Sequence, residues 1–290
     1  MGKYVFEQFW RFLHLADNHL DDKTDKLFKV RPFLDLVMTQ FSVQYTLHQP
    51  VTIDEAMIPY KGRLTFKQYM KNKPTKWEIK VFVLSDATNG YIYRLQIYTG
   101  KNLESSVEVG LCSRVLLDLM TGLDGYHLFT DNYYTGPEVY LELYKRGNNC
   151  STWYDKRYVH FLSTVHVTEA PGVTVRRQNL DGTATDVPCP PLLPDYQQYM
   201  RGVDRGDQLI GCYNIGQRSK KWWNKIFIIE CSLVNAYILE RYAEPSLYHP
   251  SSKGRKKRDF LSFCLDVAEQ LIGTHTHFEK EVVGNPDMGV

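Results

Sequence analysis

The chain of 290 residues is 43% hydrophobic and 23% charged, which excludes a wholly disordered protein and fits one large globular domain or two modest ones. A formal net charge of +2 excludes binding to nucleic acid through overall charge, so any such binding must come from local patches. Six cysteines form no Cys-x-x-Cys pair and no apolar run approaches the ~18 residues of a membrane span, which argues against a disulfide framework, a local zinc site and a transmembrane helix, and for a reducing intracellular compartment.

Phe6, Phe9, Trp10, Leu13 and Ala16 recur at helical spacing and predict a helix over residues 4–16, ended by Asp17-Asn18. A second helix is expected over 32–48, with Pro32 at its start and Phe33, Leu34, Val37, Phe41 and Tyr45 on one face. The period then changes. WEIKVFVLS (77–85) reads as a strand, Asp86 to Gly90 as a turn with an Asn-Gly signal, and YIYRLQIY (91–98) as the return strand. A helix over 111–121, a strand over 126–130 and a helix over 137–146 follow. VHFLSTVHV (159–167) and VTVRRQ (173–178) read as strands, and Pro188, Pro190, Pro191 and Pro194 as a linker. A long helical pattern covers 205–243, with a break allowed at Gly211–Gly216, and a last helix covers 259–272 after the basic run Lys253 to Arg258. The order is that of a mixed α/β protein.

Three carboxylates stand at element ends: Asp86 after the first long strand, Asp131 after the short strand, and Asp204 at the mouth of the long helix. If they converge they need a cation, because mutual repulsion would otherwise raise their pKa values. Magnesium or manganese suits such an all-oxygen cluster, and two ions ~4 Å apart can serve phosphodiester cleavage. Read singly, each aspartate is equally a turn or helix-cap residue. His127, His160 and His166 have no partner spacing and read as structural.

Longer stretches narrow this choice. VTIDEAMIPYKGRLTFKQYMKNKPTKWEIKVFVLSDATNGYIYRLQIYTGK, LFTDNYYTGPEVYLEL, WYDKRYVHFLSTVH and YMRGVDRGDQLIGCYNIGQRSKKWWNKIFIIECSLVNAYIL together resemble piggyBac-type transposases and the piggyBac transposable element-derived proteins. The resemblance implies an α/β fold: a ribonuclease H-like mixed sheet flanked by helices, with a reduced irregular and β insertion before the last catalytic helix. It implies a helical lead-in over 1–50, catalytic core over 51–149, a shortened insertion over 150–198, the final core segment over 199–245 and a basic linker with a helix over 246–290. It assigns the catalytic and metal-binding aspartates to Asp86, Asp131 and Asp204, with Asp207 a weaker metal candidate. The implied reaction is metal-dependent DNA strand cleavage and transfer on two Mg2+ or Mn2+ ions, with no zinc in this chain. The implied partners are transposon ends and TTAA target DNA, with room for a homodimer and no membrane, in the nucleus. Lys61, Arg63, Lys67, Lys71, Lys73 and Lys76 before the strand, and Arg218, Lys220 and Lys221 beside Trp222-Trp223, are the expected DNA contacts.

The chain also departs from that family. The family's amino-terminal region and its cysteine-rich zinc domain are mostly outside this sequence. After KRGNNC, Cys150 passes almost directly to STWYDKR where the family has a longer segment, which would supply a core strand; VHFLSTVHV is one segment that could take its place. Arg201 stands where the family usually has glycine. The alternatives to an active transposase core are an inactive domesticated DNA- or chromatin-binding protein and a decayed transposon relic.

Overall fold

The computed structural model describes residues 2–71, 75–100, 110–134, 149–154, 158–163, 172–179, 181–213, 221–222, 227–249 and 257–273. They belong to two compact units, Met1–Ile238 and Leu239–Val290.

In the first unit, helix α1 spans Lys3–Phe12, shorter than the periodicity predicts; Asp17 instead caps a 3-10 turn over Asn18–Leu20. Helix α2, Arg31–Val43, has proline in its first turn and buries Leu34, Val37 and Phe41 at helical spacing. Strands β1 (Pro50–Pro59), β2 (Gln68–Tyr69), β3 (Trp77–Asp86) and β4 (Ile92–Ile97) follow, then helix α3 (Leu111–Leu119) and strand β5 (His127–Thr130). Strand β1 was not expected: its acidic pair Asp54-Glu55 interrupts the apolar pattern that marks β3. The sequence-predicted helix over 137–146 lies outside the described residues.

These strands form one mixed sheet. β1 lies antiparallel to β3, from Val51 opposite Asp86 to Pro59 opposite Glu78. β5 lies parallel to β1, from Pro50 beside His127 to Ile53 beside Thr130. β2 and β4 share the other side of β3. The β3–β4 turn contains the expected Asn89-Gly90 pair, and Gly90 takes a φ of +85°.

Alternation assigns the faces. Val51, Ile53, Phe82 and Leu84 point to one side, where they pack with Leu47, Leu128, Tyr134 and the α3 residues Val115, Leu116 and Leu119. Each fully buried aliphatic or phenyl side chain there contributes about 1.5–3 kcal/mol. Thr52, Asp54, Val83, Ser85 and Phe129 point to the other side.

That second face is covered by helices α4 (Leu192–Tyr199) and α5 (Gly202–Cys212). The Thr52 hydroxyl donates to the Tyr199 carbonyl at 2.7 Å, and the Phe129 and Tyr199 rings are 5.4 Å apart. Gly202 lets α5 lie directly on the sheet: a Cβ there would sit 2.8 Å from Thr52 Oγ1 and 2.9 Å from Ser85 Oγ.

The proline-rich stretch read as a linker is in fact the end of a strand and the entry to α4. Strand β9 (Ala184–Cys189) pairs with β8 (Val173–Gln178), and Cys189, Leu192 and Leu193 form a small second cluster. Strands β6 (Asn149–Tyr154) and β7 (Tyr158–Ser163) pair with each other. Among the described residues neither joins the main sheet, so the described part of VHFLSTVHV, residues 159–163, pairs with β6 instead. Among the described residues the long helical pattern contains helices α5 and α6 (Phe227–Ala243), with α5 ending at Cys212.

Asn235 on α6 is buried and closes the end of β4: its Oδ1 accepts from the Ile92 amide at 2.8 Å and its Nδ2 donates to the Ile92 carbonyl at 2.7 Å. Asn235→Ala orphans two buried backbone groups and is expected to cost about 2–3 kcal/mol in urea unfolding, with unchanged m.

In the second unit, a one-turn helix (Pro245–Tyr248) precedes helix α7 (Phe260–Ile272), whose first turn is capped by Asp259 accepting from the Ser262 amide at 2.8 Å. Arg258, the last cation of the basic run, is held internally: its Nε lies 2.8 Å from Glu240 and its Nη1 pairs with Asp266.

Candidate active site

The register decides which aspartates share a face. Asp86 sits opposite Val51 and therefore faces the same side as Val51 and Leu84, away from α4 and α5. Asp54 lies opposite Val83 on the other face, two residues beyond Thr52. The parallel pairing of Ile53 with Thr130 brings the next residue on each strand, Asp54 and Asp131, side by side at the carboxyl end of β5. Topology thus puts together an aspartate that element-end reasoning overlooked and one that it singled out.

The electrostatics agree. Burial, then the neighbouring Glu55 and Asp131 charges, push the Asp54 carboxyl up to about 7, against an opposing hydrogen bond from the Glu55 amide. Burial and the Glu55 charge also raise Asp131, although it accepts from the Tyr133 amide at 2.8 Å and feels Lys80. Lys80 pairs with Glu55 at 2.8 Å. The Tyr196 phenol of α4 is pushed up by burial first and then by the charges of Asp131 and Asp54.

Asp86 is a different kind of carboxylate. It is fully buried, and its Oδ2 accepts from the Tyr45 hydroxyl at 2.9 Å and the His48 amide at 2.8 Å, with His48 Nδ1 also at 2.8 Å. Its Oδ1 accepts from the Thr88 amide at 2.8 Å and hydroxyl at 2.5 Å. Burial alone would raise it, but the donors on Thr88 and His48 prevail and hold it below the usual carboxylate range. The same turn supports α5: Arg205 Nη1 donates to the Ala87 and Thr88 carbonyls, each at 2.7 Å. A Cβ on Gly90 would lie 3.0 Å from the Gly206 nitrogen.

Asp204 lies in the first turn of α5 with its own side chain exposed, while Gly202 at the start of that helix packs on Thr52 and Ser85. Asp207 lies half-buried one turn on, near Cys231, whose thiol is pushed up by burial and then by Asp207. Among the described residues no three acidic, histidine or cysteine side chains converge on one ion-sized space. Asp54 and Asp131 nevertheless fit a hard divalent cation, being oxygen donors side by side whose ionised forms lack a sufficient counter-charge.

Of the expected DNA contacts, Lys61, Arg63 and Lys71 are exposed. Lys67 Nζ donates to the Gly62 carbonyl at 2.9 Å and lies 4.5 Å from the Trp77 ring centre. Lys76 donates to the Lys71 carbonyl at 2.7 Å, and Lys221 to that of Arg11 at 2.6 Å. Lys73, Arg218 and Lys220 lie outside the described residues.

A family model described as transposase IS4 matches residues 1–153 and 151–237, most of the chain. The chain belongs to the transposase IS4 family. It is a piggyBac-like, transposase-derived protein: human piggyBac transposable element-derived protein 3 is 26% identical, covering 96% of this chain and 53% of the relative. Human piggyBac transposable element-derived protein 2 is 24% identical, covering 81% of this chain and 48% of the relative. This chain therefore spans about half the length of these two relatives. The first alignment runs over 324 positions, more than the 290 residues available, so that relative has segments with no counterpart here. A solved piggyBac transposase, in a synaptic complex with hairpin DNA, shares the fold with a TM-score of 0.75 at 19% identity, over 93% of this chain and 63% of that one. No helix among the described residues is long and apolar enough to cross a membrane.

Proposed function

We propose that this chain carries the catalytic core of a nuclear piggyBac-like DNA strand-cleavage and transfer protein, with Asp54, Asp131 and Asp204 as its acidic residues and Asp86 as a structural one. The observation that carries this reading is the register, in which Asp54 and Asp131 stand side by side on the sheet face covered by α5. The mixed sheet, with β1, β3 and β4 antiparallel and β5 parallel to β1, supports reading it as a ribonuclease H-like core. Asp54 and Asp131 would hold Mg2+ or Mn2+, with Asp204 the third donor from α5. When bound, the ion supplies water activation and charge stabilisation at phosphorus. The close contact of Gly202 with Thr52 and Ser85 fixes where α5 starts and so where Asp204 stands.

The substrate class is double-stranded DNA, for which the exposed Lys61, Arg63 and Lys71 supply phosphate contacts. DNA nicking in Mg2+ or Mn2+ tests the assignment. Asp54→Asn and Asp131→Asn are expected to lose at least 100-fold in rate, on the order of one essential catalytic group, with DNA affinity kept. Nicking by Asp54→Asn at the wild-type rate would remove Asp54 from the site. A second reading, DNA binding without cleavage, is favoured by the lack of a three-residue cluster among the described residues. Salt-sensitive binding with no metal-dependent nicking would establish it.

A further inference from the structure

Residues 56–77 contain six cations, Lys61, Arg63, Lys67, Lys71, Lys73 and Lys76, and no acidic residue. Within this segment the short β2–β3 ladder puts Tyr69 directly opposite Trp77. The rings are 5.0 Å apart and tilted by 57°, yet Tyr69 remains 56% exposed and Trp77 40% exposed. This pair keeps aromatic surface in water among exposed cations, Lys61, Arg63 and Lys71. Lys67 stands over the indole with its ammonium group 4.5 Å from the ring centre.

The position adds direction. Trp77 has the parity of Val83, the residue opposite Asp54, so it starts on the same face of β3 as the proposed site. Six residues of strand separate them, about 20 Å. Polyanion affinity from the cations combined with exposed rings is the chemistry that binds an unpaired nucleobase: phosphates pair with lysine and arginine while the base stacks on the ring. A protein partner would be met by the apolar rings without requiring a run of cations uninterrupted by acid.

We propose that Tyr69 and Trp77 form a stacking platform for an unpaired base of DNA whose backbone is held by Lys61, Arg63 and Lys71. This rests on the DNA-processing function proposed above and adds a preference for DNA with unpaired bases over blunt duplex.

The test uses the full chain and two fluorescein-labelled probes, a DNA hairpin with a four-base loop and a blunt duplex of the same stem. Anisotropy at fixed salt gives both affinities, and 2-aminopurine in the loop reports stacking. The expected result is tighter binding of the hairpin, quenching of 2-aminopurine, and a loss of about tenfold in hairpin affinity for Tyr69→Ala/Trp77→Ala with duplex affinity within about twofold. Tyr69→Phe/Trp77→Phe should restore hairpin affinity, because the π-faces remain. Lys61→Ala/Arg63→Ala should weaken both probes and flatten the salt dependence. Equal loss on both probes, no loss, or unquenched 2-aminopurine with wild type would overturn the platform while leaving duplex binding in place. Failure of wild type to bind either probe would overturn the DNA-processing reading as well.

Discussion

Asp86→Ala is expected to destabilise the first unit by about 3 kcal/mol or more, a large fraction of the ~5–15 kcal/mol that holds a domain folded. Two donors on His48, two on Thr88 and the Tyr45 hydroxyl are all directed at one fully buried carboxylate. Alanine leaves them without an acceptor. Asparagine does little better, since its amide puts N–H groups where donors already point. The pH dependence has a defined sign. The folded carboxyl lies below its unfolded value of 3.8, so its contribution is complete above that value and is lost as pH falls through the folded one. The wild type should therefore lose stability steeply below about pH 4, and Asp86→Ala should show a shallower acid limb. Urea titrations followed by circular dichroism across pH 3–7 measure both. An Asp86→Ala protein as stable as wild type would reject the structural role.

The same substitution would also silence the proposed strand cleavage, for an indirect reason. The turn that Asp86 organises supplies the Ala87 and Thr88 carbonyls that hold Arg205, next to Asp204 on α5. Losing Asp86 loosens the surface on which Asp204 is placed. Inactivity of an Asp86 variant is thus no sign that Asp86 touches DNA or metal, and the informative measurement is the folded fraction.

The difference between Asp86 and Asp54 was the hardest thing to read from the sequence, and the reason is geometric. β3 was legible because WEIKVFVLS is almost continuously apolar and is followed by Asn-Gly. Asp131 was legible as the end of a short apolar run. β1 was not, because VTIDEAMIP places two carboxylates at the middle of the strand, and an acidic pair reads as a loop. Which of two strand aspartates faces the site then depends on register, where a shift of one residue reverses the face. That information lies in the β1–β3 and β1–β5 pairings, which are long-range and leave no local trace. The break between α5 and α6 and the β8–β9 ladder show the same limit: Pro188 reads as a linker although it pairs with Thr174 within the ladder.

Asp54→Asn is expected to stabilise the protein at neutral and alkaline pH while removing the chemistry. The folded Asp54 carboxyl is raised from 3.8 to about 7, chiefly by burial and then by Glu55 and Asp131. Between those values the folded state binds more protons than the unfolded chain, so stability is fullest below pH 4 and is lost as pH rises through 7. Asparagine imitates the neutral carboxyl and escapes that penalty. The gain in unfolding free energy should be near zero at pH 4 and on the order of 2 kcal/mol at pH 8, about half of what the full shift would give, because solvent screens the half-buried carboxyl. A divalent cation held by Asp54 and Asp131 would relieve the same repulsion by another route. Millimolar Mg2+ or Mn2+ at pH 8 should therefore raise the melting temperature of wild type and leave Asp54→Asn nearly unmoved. An equal metal response in both proteins would place the ion elsewhere, whatever the nicking assay shows. A variant destabilised at pH 8 would show that the ionised Asp54 is satisfied by contacts other than the strained pairing with Asp131. The two aspartates are thus separable by stability alone: one carboxylate that the fold needs, and one whose burial the fold tolerates at a cost, as the proposed site requires.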